Sequence, residues 1–67
     1  MYKVTGKVLW IDQRDGEAIV LDSAGNQYFT EPSVSPDLFG GNQQGGVTFE
    51  LMYVANYGIV ATNAILT

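Results

Sequence analysis

The fold of this chain is decided by a stretch in which apolar and polar side chains alternate, Val47-Thr48-Phe49-Glu50-Leu51-Met52-Tyr53. A period of two places the two sets of side chains on opposite faces of a β-strand. Outward from this stretch, other runs rich in Val, Ile, Thr, Tyr and Phe recur, with turn residues at intervals of about 8–12 residues. This pattern is typical of a small all-β domain.

Five strands are predicted, and turn signals separate most of them. Asp15-Gly16 and Gly25-Asn26 supply the positive φ that tight hairpin turns require, and the turn 55–58 leads into the last strand. The long connection 31–46 contains Pro32, Pro36 and a Gly-rich run at 40–46, which is predicted to be a mobile loop. Closing five short strands into a barrel removes most exposed edges, and an SH3-like barrel is the structural alternative. The predicted strands are residues 2–11, 17–22, 27–30, 47–53 and 59–66.

The composition excludes several classes of function. The chain of 67 residues has no cysteine and no histidine, so the usual ligands of structural zinc, iron–sulfur clusters and haem are missing, as are disulfides and His-dependent nucleophiles. No cofactor is expected. We predict one domain, 1–67, that is not an enzyme, because no base, nucleophile or cofactor loop is recognisable. No apolar run reaches the roughly 18 residues of a membrane span, and a cytoplasmic location is expected.

The charge balance limits how the protein could bind nucleic acid. Seven acidic residues against three basic ones give a net charge of −4. The bases are Lys3, Lys7 and Arg14. Blanket neutralisation of duplex phosphates is excluded, since each phosphate contact needs its own Lys or Arg. A nucleic-acid ligand would have to be held mainly by side chains stacked on bases, and the alternative partner is a protein, in particular a basic one.

Several motifs resemble the bacterial cold-shock domain. The segment Gly6-Lys7-Val8-Leu9-Trp10-Ile11-Asp12 resembles the family's opening, G-[KT]-V-K-W-F-N, and Gly16 follows the tryptophan at the family's spacing. The stretch 27–34 aligns with the second motif, and 47–51 and 56–58 match later ones. The resemblance covers nearly the whole chain. It implies a small five-stranded antiparallel OB-fold (Greek-key) barrel that binds single-stranded RNA or DNA by stacking bases on exposed aromatic side chains.

The departures from the family pattern fall on the residues that carry its function. The lysine before the tryptophan is Leu9, and the two aromatic residues of the first motif are Glu17 and Ile19. The histidine and phenylalanine of the second motif are Thr30 and Glu31. A stacked base is worth about 1–3 kcal/mol, so losing three aromatic side chains predicts weak binding.

The resemblance leaves a reduced set of candidate binding residues. For Trp10, strict alternation indicates the core, whereas the resemblance places it on the binding face. Phe39 either clamps a base or folds back on the barrel. Tyr28 is predicted to lie on the stacking surface, which its hydroxyl suits, and the alternative is ordinary packing within its hairpin. The full candidate set is Trp10, Tyr28, Phe39 and Tyr57 for stacking, with Arg14 and Lys7 as phosphate contacts.

A second hypothesis is a protein-interaction module or inhibitor, for example phage-encoded, that has lost nucleic-acid binding. Its surface would be the face with Ile11, Asp15, Glu17, Ile19 and Glu31. The acidic turn lacks the spacing of a calcium loop, so no metal is predicted and its carboxylates are interpreted as turn residues. A monomer and a homodimer both stay open.

Overall fold

The computed structural model describes residues 3–40 and 45–67. Residue 2, where the first strand was predicted to begin, and residues 41–44 of the Gly-rich run lie outside the described residues. The second and third predicted strands are confirmed at both ends, and the other three differ by one or two residues. The elements are β1 (Val4–Asp12), β2 (Glu17–Asp22), β3 (Gln27–Thr30), a 3-10 helix (Pro36–Phe39), β4 (Gly46–Val54) and β5 (Gly58–Leu66).

The five strands form a closed barrel in the order β1-β2-β3-β5-β4, with β4 paired back to β1. Among the described strands, only β3 and β5 run parallel, through the pair Phe29 and Val60. The connection that carries the chain from β3 past β5 to β4 makes this a Greek key rather than a meander. The structure therefore confirms an all-β, five-stranded OB-type barrel, and the strand order excludes the SH3-like alternative.

The barrel interior is filled mostly by small and medium side chains from β2, β4, β5 and the 3-10 helix. Ala18 and Val20 of β2 are fully buried, which explains why β2 alternates so regularly. The 3-10 helix contacts β5 and contributes the fully buried Leu38. Small side chains suit the interior of so narrow a barrel. The fully or nearly fully buried hydrophobic cluster is Ala18, Val20, Leu38, Val47, Phe49, Ala61 and Ala64.

A β-bulge in β1 reverses the side-chain alternation in the middle of the strand. Val8 pairs with Val20 and Trp10 pairs with Ile19, so two residues of β1 face one residue of β2 and Leu9 is the extra one. Beyond a bulge the inward and outward positions exchange. Trp10 therefore points outward and Ile11 packs against the core. Strict alternation, which placed Trp10 in the core, is wrong for this reason.

Gly6 lies where β1 passes very close to β2. A Cβ atom at this position would stand 1.6 Å from the backbone oxygen of Leu21, which is far inside contact distance. Gly6 also pairs with Asp22 on one side and with Val47 of β4 on the other. Closure of the barrel around β1 thus depends on the missing side chain at this residue.

Candidate functional site

Three side chains lie next to one another across the outer face of β1, β2 and β3. Trp10 is opposite Ile19, and Ile19 is opposite Phe29. The neighbours of Ile19 along β2, Ala18 and Val20, are fully buried, so Ile19 points away from the core. Trp10 is 44% exposed, which confirms that its ring lies on the outer surface.

Tyr57 extends this arrangement from the β4–β5 turn. Its ring stacks on Phe29, with ring centroids 6.4 Å apart and planes within 8° of parallel, while 73% of the residue is exposed. The turn places the ring there through two left-handed residues, Asn56 at φ 77° and Gly58 at φ 86°. The Tyr57 N–H donates to the Val54 carbonyl at 3.1 Å. We call Trp10, Ile19, Phe29 and Tyr57 the outer row.

Tyr28 does not belong to the outer row, which differs from the sequence prediction. It is opposite the buried Val20, and its ring lies 5.7 Å from that of Phe49, which is 1% exposed. The Tyr28 hydroxyl donates to Asp22 Oδ2 at 2.9 Å. Its ring thus packs against the core while its polar end is satisfied at the barrel rim. The aromatic side chain of β3 that faces outward is Phe29.

Asp22 organises the β2–β3 turn through its hydrogen bonds, which also shift the pKa values of Asp22 and Tyr28. Its carboxylate accepts hydrogen bonds from the Asn26 side chain, from the Asn26 and Ala24 backbone N–H groups and from Tyr28. These bonds, above all that of the Asn26 side chain, hold the pKa of Asp22 below its usual value of 3.8. The same contact raises the pKa of Tyr28, because ionisation would remove the proton donated to Asp22.

Sequence reasoning missed Phe29 because two aromatic residues stand side by side in β3. The sequence alternation cannot decide which of Tyr28 and Phe29 faces inward, since both are large and partly apolar. The signal that could have decided it is Asp22, six residues before Tyr28. A tyrosine hydroxyl can reach such a carboxylate at the barrel rim, whereas phenylalanine has no polar atom to place there.

Phe39 takes the second of its two predicted alternatives. It is the last residue of the 3-10 helix and packs against the buried cluster beside the fully buried Leu38. It is half-buried rather than displayed on the outer face. Phe39 therefore covers part of the core and is not one of the rings of the outer row.

The charged side chains near the outer row have both signs. Lys7 is exposed on β1, two residues before the bulged Leu9, and pairs with Leu21. Arg14 is exposed in the β1–β2 turn, just beyond the pair of carboxylates formed by Asp12 and Glu17. Along the chain, Lys7 thus lies before Trp10 of the outer row and Arg14 after it. The carboxylates of Asp12 and Glu17 form an acidic border at the turn.

The Asp12 carboxylate has a local role in this turn. Its Oδ1 accepts the backbone N–H groups of Arg14 at 3.0 Å and Asp15 at 3.1 Å, and Gly16, at φ 73°, donates its N–H to the Asp12 carbonyl. This agrees with the interpretation of the acidic cluster as turn residues. Within 3–40 and 45–67, no group of three or more potential ligands is placed to hold a metal ion.

A cavity of about 240 Å³ opens beside Tyr57, between the end of β3 and the β4–β5 hairpin. Its wall is mostly apolar, and the only carboxylate among the residues that line it is that of Glu31. The lining residues are Phe29, Thr30, Glu31, Val34, Met52, Val54, Tyr57 and Val60.

The segment after β3 is fixed to β5 by a buried hydrogen-bond network. The Thr30 hydroxyl donates to Ser35 Oγ at 2.7 Å, and Ser35 Oγ also accepts the Ala64 N–H at 3.1 Å. Asn63 donates its N–H to the Val34 carbonyl at 2.8 Å. Thr30 and Ser35 are fully buried, and the Thr30 hydroxyl is engaged within the protein. The network holds in place the segment that carries Glu31.

Comparison of the chain with protein-family models, with curated proteins and with solved structures found no match. The resemblance to the cold-shock domain therefore stays a prediction from the motifs. None of the helical segments in the described part of the chain has the length and apolarity to cross a membrane.

Proposed function

We propose that the protein binds single-stranded RNA or DNA weakly, by stacking bases on the outer row. The observation that carries this proposal is the alignment of Trp10, Phe29 and Tyr57 across β1, β2, β3 and the β4–β5 turn. In OB-type barrels, the face of the second and third strands and the loops after the first and fourth strands are where oligonucleotides bind. Trp10, Phe29 and Tyr57 lie on that same part of the barrel.

Stacking provides most of the affinity in this proposal. Each base on an aromatic ring contributes about 1–3 kcal/mol, and every base has a face that can stack, so little sequence preference is needed. Lys7 and Arg14 add two phosphate contacts, while Glu17 and Asp12 oppose the phosphate backbone at the turn. Few cations and several carboxylates make the binding weak.

Trp10 gives a direct assay because it is the only tryptophan in the chain. Titration with oligo-dT and oligo-U at low salt is expected to quench its fluorescence. With two phosphate contacts, the logarithm of the binding constant should fall with the logarithm of salt at a slope of about −1.4, and Lys7→Gln should reduce this slope by about 0.7. No quenching at high-micromolar oligonucleotide would remove the proposal.

Tyr57 and Tyr53 form a matched pair for mutagenesis. They are 73% and 72% exposed. Tyr53 pairs with Ile59 and directly follows Met52 of the cavity wall, so its side chain lies on the opposite face of the hairpin from the cavity. Tyr57→Ala is expected to weaken binding about 5- to 150-fold, the equivalent of one lost stack. Tyr53→Ala should leave it unchanged. Equal losses in both variants would contradict the assignment of the outer row.

The acidic border of the row favours one alternative, a protein-interaction module for a basic partner. Glu17 is exposed and pairs with Asp12. It lies two residues before Ile19 on β2 and therefore on the same face of that strand, so the carboxylates are neighbours of the outer row. Ile11 makes no part of such a surface, because it packs against the core. Saturable binding of a basic protein that persists in Tyr57→Ala, without binding of any oligonucleotide, would favour this alternative.

A further inference from the structure

The cavity beside Tyr57 has room for one planar ring. Its volume of about 240 Å³ is below the range of about 300–1,000 Å³ in which drug-sized ligands are held. Phe29 and Tyr57 form an aromatic wall with nearly parallel rings, and Met52 and Val54 add apolar surface. Phe29 and Tyr57 belong to both the outer row and the cavity wall, so the cavity opens directly beside the row.

Among the described residues that line this cavity, Glu31 is the only one with a charged side chain. Its backbone carbonyl accepts the N–H groups of Val34 at 3.1 Å and Ser35 at 2.9 Å, so the buried Ser35 network fixes its position. The Ser33 hydroxyl donates to Glu31 Oε1 at 2.5 Å. A carboxylate offers two oxygens and about four acceptor positions, so it accepts further bonds from a ligand. At this wall the Glu31 carboxylate therefore offers hydrogen-bond acceptors to a ligand.

An acceptor pair of this kind distinguishes the bases by their Watson–Crick edges. Guanine presents two adjacent donors, the ring N1–H and the exocyclic N2 amine, and these match the two oxygens of a carboxylate. Cytosine and adenine place an amine next to an unprotonated ring nitrogen, which repels the second oxygen. Uracil and thymine place their single N–H between two carbonyl oxygens. Single-stranded ligands expose these edges because their bases are unpaired.

We propose that the cavity takes a guanine, with its ring against Tyr57 and its N1–H and N2 amine donated to the Glu31 carboxylate. This inference rests on the proposed function and adds a base preference to it. Bidentate readout of a base edge is worth about 1–3 kcal/mol, which corresponds to a preference of about 5- to 150-fold. The other positions along the outer row stack without choosing a base.

The test uses hexanucleotides of dT in which one central base is left as T or replaced by G, inosine, A or C. Binding is followed by Trp10 fluorescence at one fixed, low salt concentration. The G-containing oligonucleotide should bind about 5- to 150-fold more tightly than dT alone. Inosine keeps N1–H but lacks the N2 amine, so it should bind between G and T.

Two charge-neutralising variants separate base readout from general electrostatics. Glu31→Gln presents one donor and one acceptor in place of two acceptors, so the preference for G over T should disappear. Glu17→Gln removes an exposed carboxylate that does not line the cavity, so it should strengthen binding of all hexanucleotides by the same factor and keep the preference for G. The inosine comparison needs no change to the protein and holds even if a variant folds poorly.

The outcomes distinguish this inference from the proposed function. Binding without a preference for G, or with a preference that Glu31→Gln does not change, overturns the guanine site and leaves the stacking proposal standing. Absence of binding to every hexanucleotide overturns both. If G binds more tightly than inosine and T, and only Glu31→Gln removes this preference, the guanine site and the stacking proposal are both supported.

Discussion

Replacement of Ser35 by alanine should destabilise this barrel far more than the loss of one hydroxyl on its surface would. Ser35 Oγ is the acceptor for two fully buried donors, the Thr30 hydroxyl at 2.7 Å and the Ala64 N–H at 3.1 Å. A buried donor left without a partner costs about 1–3 kcal/mol, so the two together cost about 2–6 kcal/mol. The total stability expected for a domain of this size is about 3–5 kcal/mol.

Urea unfolding followed by Trp10 fluorescence and circular dichroism measures this loss. With a denaturant slope of about 1–2 kcal/mol per molar, a loss of 2 kcal/mol lowers the midpoint by about 1–2 M. Ser33→Ala is the control, because Ser33 is exposed and its hydroxyl bonds to the Glu31 side chain rather than to a buried group. That control should stay within about 0.5 kcal/mol of the unmodified protein.

A double variant tests the physical reason for the loss. Thr30→Val in the Ser35→Ala background removes one of the two unpaired donors and should restore about 1–3 kcal/mol, since removing both partners of a buried bond costs less than removing one. If Ser35→Ala were as stable as Ser33→Ala, or if Thr30→Val gave no recovery, the network would not be what fixes the 31–35 segment to β5.

Three further predictions concern the backbone and the β2–β3 turn. Gly6→Ala should unfold the protein or lower its free energy of unfolding in urea by at least about 3 kcal/mol, because the added Cβ would overlap the Leu21 backbone oxygen. Gly40→Ala is the control and should be nearly neutral, because the nearest atom to its Cβ would be 3.7 Å away. The folded state holds the pKa of Asp22 below 3.8, so as the pH falls the carboxylate is protonated in the unfolded chain before it is protonated in the folded protein. The stability that Asp22 contributes above its unfolded pKa should therefore be lost as the pH falls through the folded pKa. Urea midpoints measured against pH should show less of this loss in Asp22→Asn. The pKa of Tyr28 is raised from 10.0, so stability should also fall as the pH rises through it, and the late part of the tyrosinate absorbance titration should vanish in Tyr28→Phe.

The strand pattern of this chain is readable because each strand carries its own local signals. The bounds of β2 and β3 follow from turn residues on either side, including Gly16 and Gly25, which adopt the positive φ that the turns require. Of the four residues that the alternation in β4 places on one face, Leu51 and Tyr53 are exposed, whereas Val47 and Phe49 are buried. The bounds of β2 and β3 depend on neighbours within a few residues, and the sequence therefore predicts them.

The candidate site was predicted in part. Trp10 lies on the outer face, as the cold-shock resemblance implied, and Tyr57 joins it through its contact with Phe29. Tyr28 and Phe39, predicted or weighed as ligand contacts, pack against the core instead. Whether any of these side chains binds nucleic acid stays a prediction, which the titrations above address.

The amino-acid order alone established an all-β chain of five short strands with its turns at the right places, because these depend on local periodicity and on glycine. Three-dimensional packing decided which side chains face outward. The bulge at Leu9 exchanges the two faces of β1, and the Asp22 contact draws Tyr28 inward and leaves Phe29 outside. Both effects depend on how one strand pairs with the next, which the alternation along a single strand does not reveal.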